Sequence, residues 1–129
     1  MNIEITLEMI QAFALVWWWV IPAYVVFAAL LWCATWVIYL ATMGVIRSQP
    51  VLFGTPAKLG GYVIKTGEFL STSLNWLVFT LLLLEWPKER FLSARLMRHF
   101  RTGKGWRQRF AGWMGRTWLD PFDPSGRHI

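Results

Sequence analysis

The chain has 129 residues, of which 56% are hydrophobic and only 16% are charged. Soluble domains average about 45–50% apolar and about 25% charged residues, so this composition excludes a disordered chain and argues against an ordinary soluble domain. The net charge is +6, and the single cysteine, Cys33, excludes an internal disulfide framework and a cysteine-rich metal site.

The first half of the chain contains an uncharged run of 38 residues, Met9 to Ile46. A spanning helix needs about 20 apolar residues to cross a hydrocarbon core of about 30 Å, so this run predicts a membrane-embedded segment. Pro22 is its one helix breaker, because proline lacks an amide donor and disfavours helix in the preceding residue. We therefore predict an N-terminal interfacial segment over residues 1–22 and a first transmembrane helix over residues 23–46. One long kinked helix is the alternative.

Aromatic and small side chains in this run support two further predictions. Indole rings prefer the head-group level of a bilayer, which predicts an interfacial position for the tryptophans before Pro22. These are Trp17, Trp18 and Trp19. Small residues allow helices to approach closely in lipid, which predicts a helix–helix contact along the first span. The residues that would form this contact are Ala34, Ala41 and Gly44.

Residues 47–67 are predicted to form an extracytoplasmic loop, since Arg47 ends the first span and glycine and proline recur after it. A second transmembrane helix is predicted over residues 68–86, with Trp86 at its far interface. Asn75 lies inside this second span and needs a hydrogen-bond partner there. An intramolecular bond is favoured, and a pore or oligomer contact is the alternative.

Residues 87–129 form a basic, tryptophan-rich tail with ten Lys and Arg against three acidic residues. Aromatic residues at helical spacing, flanked by arginine, predict amphipathic helices on an anionic membrane surface. The aromatic residues predicted at the interface are Trp106, Phe110, Trp113 and Trp118. The residues predicted to contact anionic lipid or a protein partner are Arg95, Arg98, Arg101, Arg107, Arg109 and Arg116. The excess of positive charge also predicts that the tail and both termini are cytoplasmic.

No enzyme motif occurs in the sequence: it has no Walker A, nucleophile-elbow or zinc-protease pattern. Cys33 lies in the first span, where a thiol acts as a small hydrophobic group. The spacing of Asp120, Asp123 and His128 matches no metal site, and a capped turn is favoured there. We therefore predict no catalytic residue, no cofactor and no metal.

The last third carries a set of short motifs. They are Glu85-Trp-Pro-Lys-Glu89, Ser93-Ala-Arg95, Gly105-Trp-Arg107 and Leu119-Asp-Pro-Phe-Asp-Pro-Ser-Gly126 followed by His128. In this region the chain resembles the C-terminal part of small membrane proteins encoded by tailed bacteriophages and prophages. The resemblance implies a phage origin and a bacterial inner membrane, and it implies no particular activity.

Together these patterns predict an all-α membrane protein: a two-span transmembrane helical hairpin with an N-terminal interfacial helix and C-terminal amphipathic helices. The leading hypothesis for function is a non-enzymatic assembly, docking or accessory subunit, with the lipid bilayer and a membrane protein or a second copy as partners. One alternative is a holin-like pore former whose polar stretch, Ser71 to Asn75, lines the pore. The other is a membrane-tethered nucleic-acid-binding protein, which we disfavour because no nucleic-acid-binding motif is present.

Overall fold

The computed structural model describes residues 3–123 and residue 125, and within that part of the chain all regular structure is helical. The prediction of an all-α fold is therefore confirmed. The chain divides into two compact units, Met1–Leu30 and Leu31–Ile129. Unit 1 is the first part of helix α1, and unit 2 contains the remainder of α1 and four shorter helices.

Helix α1 runs from Ile3 to Ser48 without interruption, with Pro22 inside it. The break that the sequence predicted at Pro22 is therefore wrong, and the single long helix is correct. A proline removes one helical hydrogen bond and clashes with one carbonyl. The helix nevertheless continues past Pro22, because the long apolar stretches on both sides keep their own helical hydrogen bonds.

The side chains of unit 1 from Leu7 onward are exposed almost all round, and only Tyr24 and Ala28 are half-buried. Phe13 is 66% exposed, and Leu30 is also 66% exposed. Among the described residues, one helix is long and apolar enough to cross a membrane, with a mean hydropathy of 2.1. Its most apolar part has no buried residue.

Unit 2 continues after α1 with a 3-10 turn over Gln49–Val51 and then helix α2, Thr55–Leu77. The loop predicted over residues 47–67 is thus wrong from Thr55 onward. Pro56 lies in the first turn of α2, a position where the missing amide hydrogen leaves no partner unsatisfied. Of the glycines in the predicted loop, Gly60, Gly61 and Gly67 lie inside α2, whereas Gly54 directly precedes it.

Two of these glycines allow α2 to pack closely against the part of α1 in unit 2. A Cβ atom on Gly60 would lie 2.8 Å from Val45 Cγ1, and one on Gly67 would lie 2.9 Å from Thr42 Oγ1. Both distances are shorter than real Cβ contacts, so only glycine fits these positions without a shift. The small-residue contact predicted in the first span thus forms at other positions: Ala34, Ala41 and Gly44 are exposed, and a Cβ on Gly44 would meet nothing within 4 Å.

The helices that follow form the core of unit 2. Helix α3 (Phe79–Leu83) ends at Leu84, which has a left-handed backbone with φ of 50°. Helices α4 (Leu92–Thr102) and α5 (Trp106–Met114) pack against each other and confirm the two helices predicted in the tail. The buried apolar residues are Leu74, Phe79, Leu83, Leu92, Leu96, Ala111 and Met114.

Aromatic contacts fasten the end of the tail to the α1 segment of unit 2. The Trp118 ring meets the rings of Trp32 and Trp36 edge-on, with centroids 5.8 Å and 5.1 Å apart. The Tyr39 hydroxyl donates a 2.7 Å hydrogen bond to the carbonyl oxygen of Leu119. A short π-helical turn over Gly115–Leu119 and a 3-10 turn over Asp120–Phe122 bring the chain to these contacts.

Candidate functional site

A buried arginine lies at the centre of unit 2. The Arg95 side chain is fully buried, and its guanidinium donates hydrogen bonds to the Asn75 side-chain oxygen at 3.1 Å and to the Asn75 carbonyl oxygen at 3.3 Å. A second guanidinium nitrogen donates to the carbonyl oxygen of Glu85. Arg95 was predicted to contact anionic lipid or a partner, and that prediction is wrong because no part of the side chain reaches the surface.

Asn75 is also fully buried, and its amide nitrogen donates to the carbonyl oxygens of Glu89 at 2.8 Å and Arg90 at 3.3 Å. The intramolecular alternative predicted for Asn75 is therefore correct. The partners of the Asn75 amide nitrogen are backbone carbonyls on the segment between α3 and α4, and the partner of its side-chain oxygen is Arg95 on α4. Asn75 and Arg95 together hold that segment against α2, because each satisfies backbone carbonyls that have no helical partner.

A charged cluster borders this network. Arg98 bonds to both Glu85, at 2.7 Å, and Glu89, while His99 Nε2 lies 3.4 Å from Glu85 Oε2. Burial raises the pKa of Glu85, but the hydrogen bond and the charge of Arg98 outweigh that effect and lower it below its ordinary value. Burial and then the positive charge of Arg98 lower the pKa of His99. The cluster is thus built to hold Glu85 charged and His99 neutral.

Two further predicted arginines also bond to backbone. Arg107 Nε donates to the carbonyl oxygen of Leu83 at 3.0 Å, where α3 ends. Cationic side chains are favourable at this end of a helix, because the last carbonyls lack partners and carry partial negative charge. Arg116 Nε donates to the carbonyl oxygen of Gly112 at 3.1 Å. Arg101 and Arg109 are exposed and remain available to solvent, lipid or a partner.

The residues predicted at the membrane interface fall into two groups. Phe110 and Trp118 are half-buried in unit 2 and pack against its core. The others are exposed: Trp17 by 45%, Trp18 by 74%, Trp19 by 73%, Trp86 by 74%, Trp106 by 47% and Trp113 by 49%. The structure places Trp17, Trp18 and Trp19 in unit 1 and the remaining residues in unit 2.

An exposed apolar surface surrounds the end of α3, and we call it the apolar tip. It consists of Trp76, Leu77, Leu81, Leu82, Leu84 and Trp86, all between 47% and 77% exposed. The rings of Trp76 and Trp86 contact each other, with centroids 6.4 Å apart. Neighbouring exposed apolar side chains of this kind mark sites of protein or membrane interaction.

Unit 2 also contains a partly open cavity of about 270 Å³. Three tryptophans, Trp32, Trp36 and Trp118, form part of its wall, and Glu68 is its one charged lining residue. Two lining residues hold buried polar atoms with no hydrogen-bond partner in the described part of the chain, Thr42 Oγ1 and Trp118 Nε1. The sequence analysis did not find this cavity, because its lining comes from four separated segments.

One signal in the sequence would have identified the buried arginine. One face of a helix is formed by residues with the spacing i, i+3, i+4, i+7, and this spacing is followed by Leu92, Arg95, Leu96 and His99. Because Leu92 and Leu96 are apolar, that spacing places Arg95 and His99 on the face that is buried.

No cluster of His, Cys, Asp or Glu that could hold a metal ion occurs among residues 3–123 and 125. Comparisons with protein-family models, curated proteins and solved structures gave no match to this chain.

Proposed function

We propose that the chain is a single-span, membrane-anchored docking protein that assembles with a membrane complex and performs no catalysis. In this proposal α1 crosses the membrane and unit 2 carries the docking surface on the cytoplasmic side. The observation that carries the proposal is the exposure of the apolar side chains of unit 1 from Leu7 to Leu30.

The length of this exposed segment supports a complete crossing. Its 24 residues extend about 36 Å at a rise of 1.5 Å per residue, and a hydrocarbon core is about 30 Å thick. If Trp17, Trp18 and Trp19 lay at the interface, the apolar residues from Leu7 to Val16 would remain in water. We therefore place these tryptophans inside the bilayer, although indole rings prefer its edge.

Unit 2 is better suited to the membrane surface than to a second crossing. Asn75 is at the middle of the second span predicted over residues 68–86, and it bonds to Arg95 and to backbone at Glu89 and Arg90. If Asn75 lay at the centre of a span, the Arg95 guanidinium and the backbone at Glu89 and Arg90 would also lie in hydrocarbon. Charged groups and irregular backbone are unfavourable at that depth. A single span avoids this cost.

The charge distribution supports an orientation with unit 2 inside the cell. Ten Lys and Arg lie between residues 87 and 129, whereas no Lys or Arg precedes Arg47. The positive-inside rule then places unit 2 in the cytoplasm and the start of α1 outside. This orientation is proposed in place of our expectation that both termini are cytoplasmic, since that expectation depended on two spans.

We assign docking to the apolar tip. The Arg107 side chain lies beside this surface, where its Nε donates to the carbonyl oxygen of Leu83. The resemblance to phage-encoded membrane proteins supports a bacterial inner membrane as the location. The hydrogen bonds of Ser71 and Asn75 do not favour the holin alternative. Ser71 Oγ accepts from the Leu92 amide, and Asn75 bonds inside unit 2, so two members of this polar stretch have partners within the chain.

Cysteine labelling in intact bacteria tests the proposal. In a Cys33→Ser background, Glu4→Cys and Lys104→Cys each provide one thiol for a membrane-impermeant maleimide. We expect Glu4→Cys to react in intact cells and Lys104→Cys to react only after the cells are permeabilised. Labelling of neither variant in intact cells would support two spans with internal termini. The intact mass of the purified chain separates a retained span from a cleaved signal sequence.

Membrane retention provides the second part of the test. We expect the wild-type chain to remain in the pellet after alkaline carbonate washing. Replacing Val16 and Val20 by Arg should release it, because both lie near the middle of Leu7–Leu30 and charged side chains at the centre of a span are unfavourable by about 2.5–3.5 kcal/mol each. The matched control replaces Tyr62 and Phe69 by Arg, since both are exposed on α2 outside the proposed span. A wild-type chain in the supernatant would refute the proposal.

A further inference from the structure

The cavity in unit 2 has the properties of a binding site for an apolar ligand. Its volume of about 270 Å³ exceeds that of an engineered apolar cavity of about 150 Å³ that binds benzene. Tryptophan, leucine and methionine make up half of the eighteen lining residues. An empty apolar cavity of this size forfeits dispersion contacts along its whole lining, so an apolar occupant would be favourable.

Two polar atoms identify the type of ligand more closely. Thr42 Oγ1 and Trp118 Nε1 are buried and have no partner among the described residues, and both residues line the cavity. A buried donor without a partner is unfavourable, and an indole nitrogen can only donate. A ligand with a hydrocarbon body and one hydrogen-bond acceptor would therefore satisfy the site.

The acidic side chain of Glu68 decides which acceptor is favoured. It is exposed to solvent and is the one charged residue in the lining, so it disfavours the carboxylate of a free fatty acid relative to an uncharged acceptor. An ester carbonyl accepts the same hydrogen bond without a negative charge. We propose that the cavity of unit 2 binds one esterified acyl chain of a membrane glycerolipid, with its ester carbonyl hydrogen-bonded to Trp118 Nε1 or Thr42 Oγ1.

This inference rests on the proposed membrane anchoring, because the surrounding bilayer supplies the lipid. It assigns unit 2 a second role, in which a bound lipid completes the core beside the aromatic cluster of Trp32, Trp36 and Trp118. Lipid occupancy would then support the fold of the docking unit.

Photolabelling of the full chain in lipid nanodiscs tests the inference. The discs contain phosphatidylethanolamine and phosphatidylglycerol with a trace of phosphatidylcholine that carries a diazirine on one acyl chain. Labelled peptides are mapped by mass spectrometry, and the segment from Leu7 to Leu30 serves as the internal reference for ordinary contact with lipid. We expect concentrated labelling of two peptides, one with Trp36 of α1 and one with Trp118 of the π-helical turn after α5, that saturates as the fraction of diazirine lipid in the discs is raised.

Two matched pairs of variants locate the binding to the cavity. Ile64→Trp fills the cavity, whereas Tyr62→Trp adds the same ring at an exposed position of α2. Ile64→Trp should reduce cavity labelling about tenfold relative to the reference, because the indole ring would occupy volume that the acyl chain needs. Tyr62→Trp should leave it unchanged. If Ile64→Trp does not fold, as judged by circular dichroism, Met43→Trp and its exposed control Val37→Trp replace the pair.

The outcomes separate this inference from the proposed function. Strong labelling of Leu7–Leu30 without saturable labelling of the cavity would overturn the inference and leave the membrane anchor intact. Absence of labelling on Leu7–Leu30 would overturn the anchor. A parallel experiment uses a diazirine fatty acid, and stronger cavity labelling by that probe than by the phospholipid would overturn the assignment of an esterified chain.

Discussion

Replacing Arg95 with methionine provides the most direct test of the network in unit 2. Methionine keeps much of the side-chain volume but removes every donor. The Asn75 side-chain oxygen and the Glu85 carbonyl oxygen then lose the bonds that Arg95 provides, whereas the Asn75 carbonyl retains the Thr80 hydroxyl at 3.3 Å. The segment between α3 and α4 therefore loses one of its two main attachments.

The expected loss of stability follows from these contacts. Two buried oxygens without partners are each unfavourable by about 1–3 kcal/mol. Removing the buried charge, together with an Nε atom that has no partner in the described chain, offsets part of that loss. We expect Arg95→Met to lower the free energy of unfolding by about 3 kcal/mol, against a total of about 5–15 kcal/mol for a small domain.

The measurement is urea unfolding of the full chain in mild detergent, followed by tryptophan fluorescence and helical circular dichroism. Arg101→Met is the matched control, since Arg101 is exposed on the same helix and should change stability by less than about 0.5 kcal/mol. A cycle with Asn75→Leu should reveal a coupling energy of about 0.5–3 kcal/mol. Equal stability of Arg95→Met and Arg101→Met would refute the network.

Three further results are expected. Gly67→Leu should destabilise unit 2 by about 1–3 kcal/mol, because its Cβ would lie 2.9 Å from Thr42 Oγ1. Gly61→Leu is the control and should be neutral or stabilising, because that position is open. Equal unfolding midpoints for the two variants would contradict close packing at Gly67. The free energy of unfolding should fall as the pH drops from about 7.5 to about 5.5, because unfolded His99 binds a proton near its ordinary pKa of 6.5 and the folded state resists protonation. A pH-independent stability of the wild-type chain would exclude this role of His99. The same pH dependence in His99→Gln as in the wild type would also exclude it. The lowered pKa of Glu85 likewise makes the folded state less stable at low pH. A second loss of stability should therefore begin near pH 4.5, the ordinary pKa of the group, and be absent in Glu85→Gln. Thermal unfolding at each pH measures both losses.

Local pattern explains the parts of the fold that could be predicted. The composition and the uncharged run from Met9 to Ile46 indicate a long apolar helix, and such a helix is present. The spacing of Leu92 and Leu96 and the glycines around Lys104 define helices α4 and α5. These predictions needed only helical periodicity and turn residues, both of which are properties of neighbouring positions.

Local pattern failed where a residue type has two uses. Glycine at positions 60 and 61 suggested a loop, but Gly60 allows α2 to contact Val45. Arginine beside aromatic residues suggested a lipid surface, but Arg107 caps α3 at Leu83. In each case the choice depends on a partner distant in sequence, which the residue's own neighbours do not specify.

The sequence by itself determined that the chain is helical, that its first part is long and apolar enough to cross a membrane, and that positive charge is concentrated in its last third. Only the tertiary structure decided which charges remain at the surface and where a cavity is left. The physical reason is that periodicity identifies the residues that share a helix face, whereas the burial of that face depends on the element that packs against it. Arg95 and Asn75 illustrate this. Burial of either side chain is unfavourable unless the other is close enough to form a hydrogen bond with it.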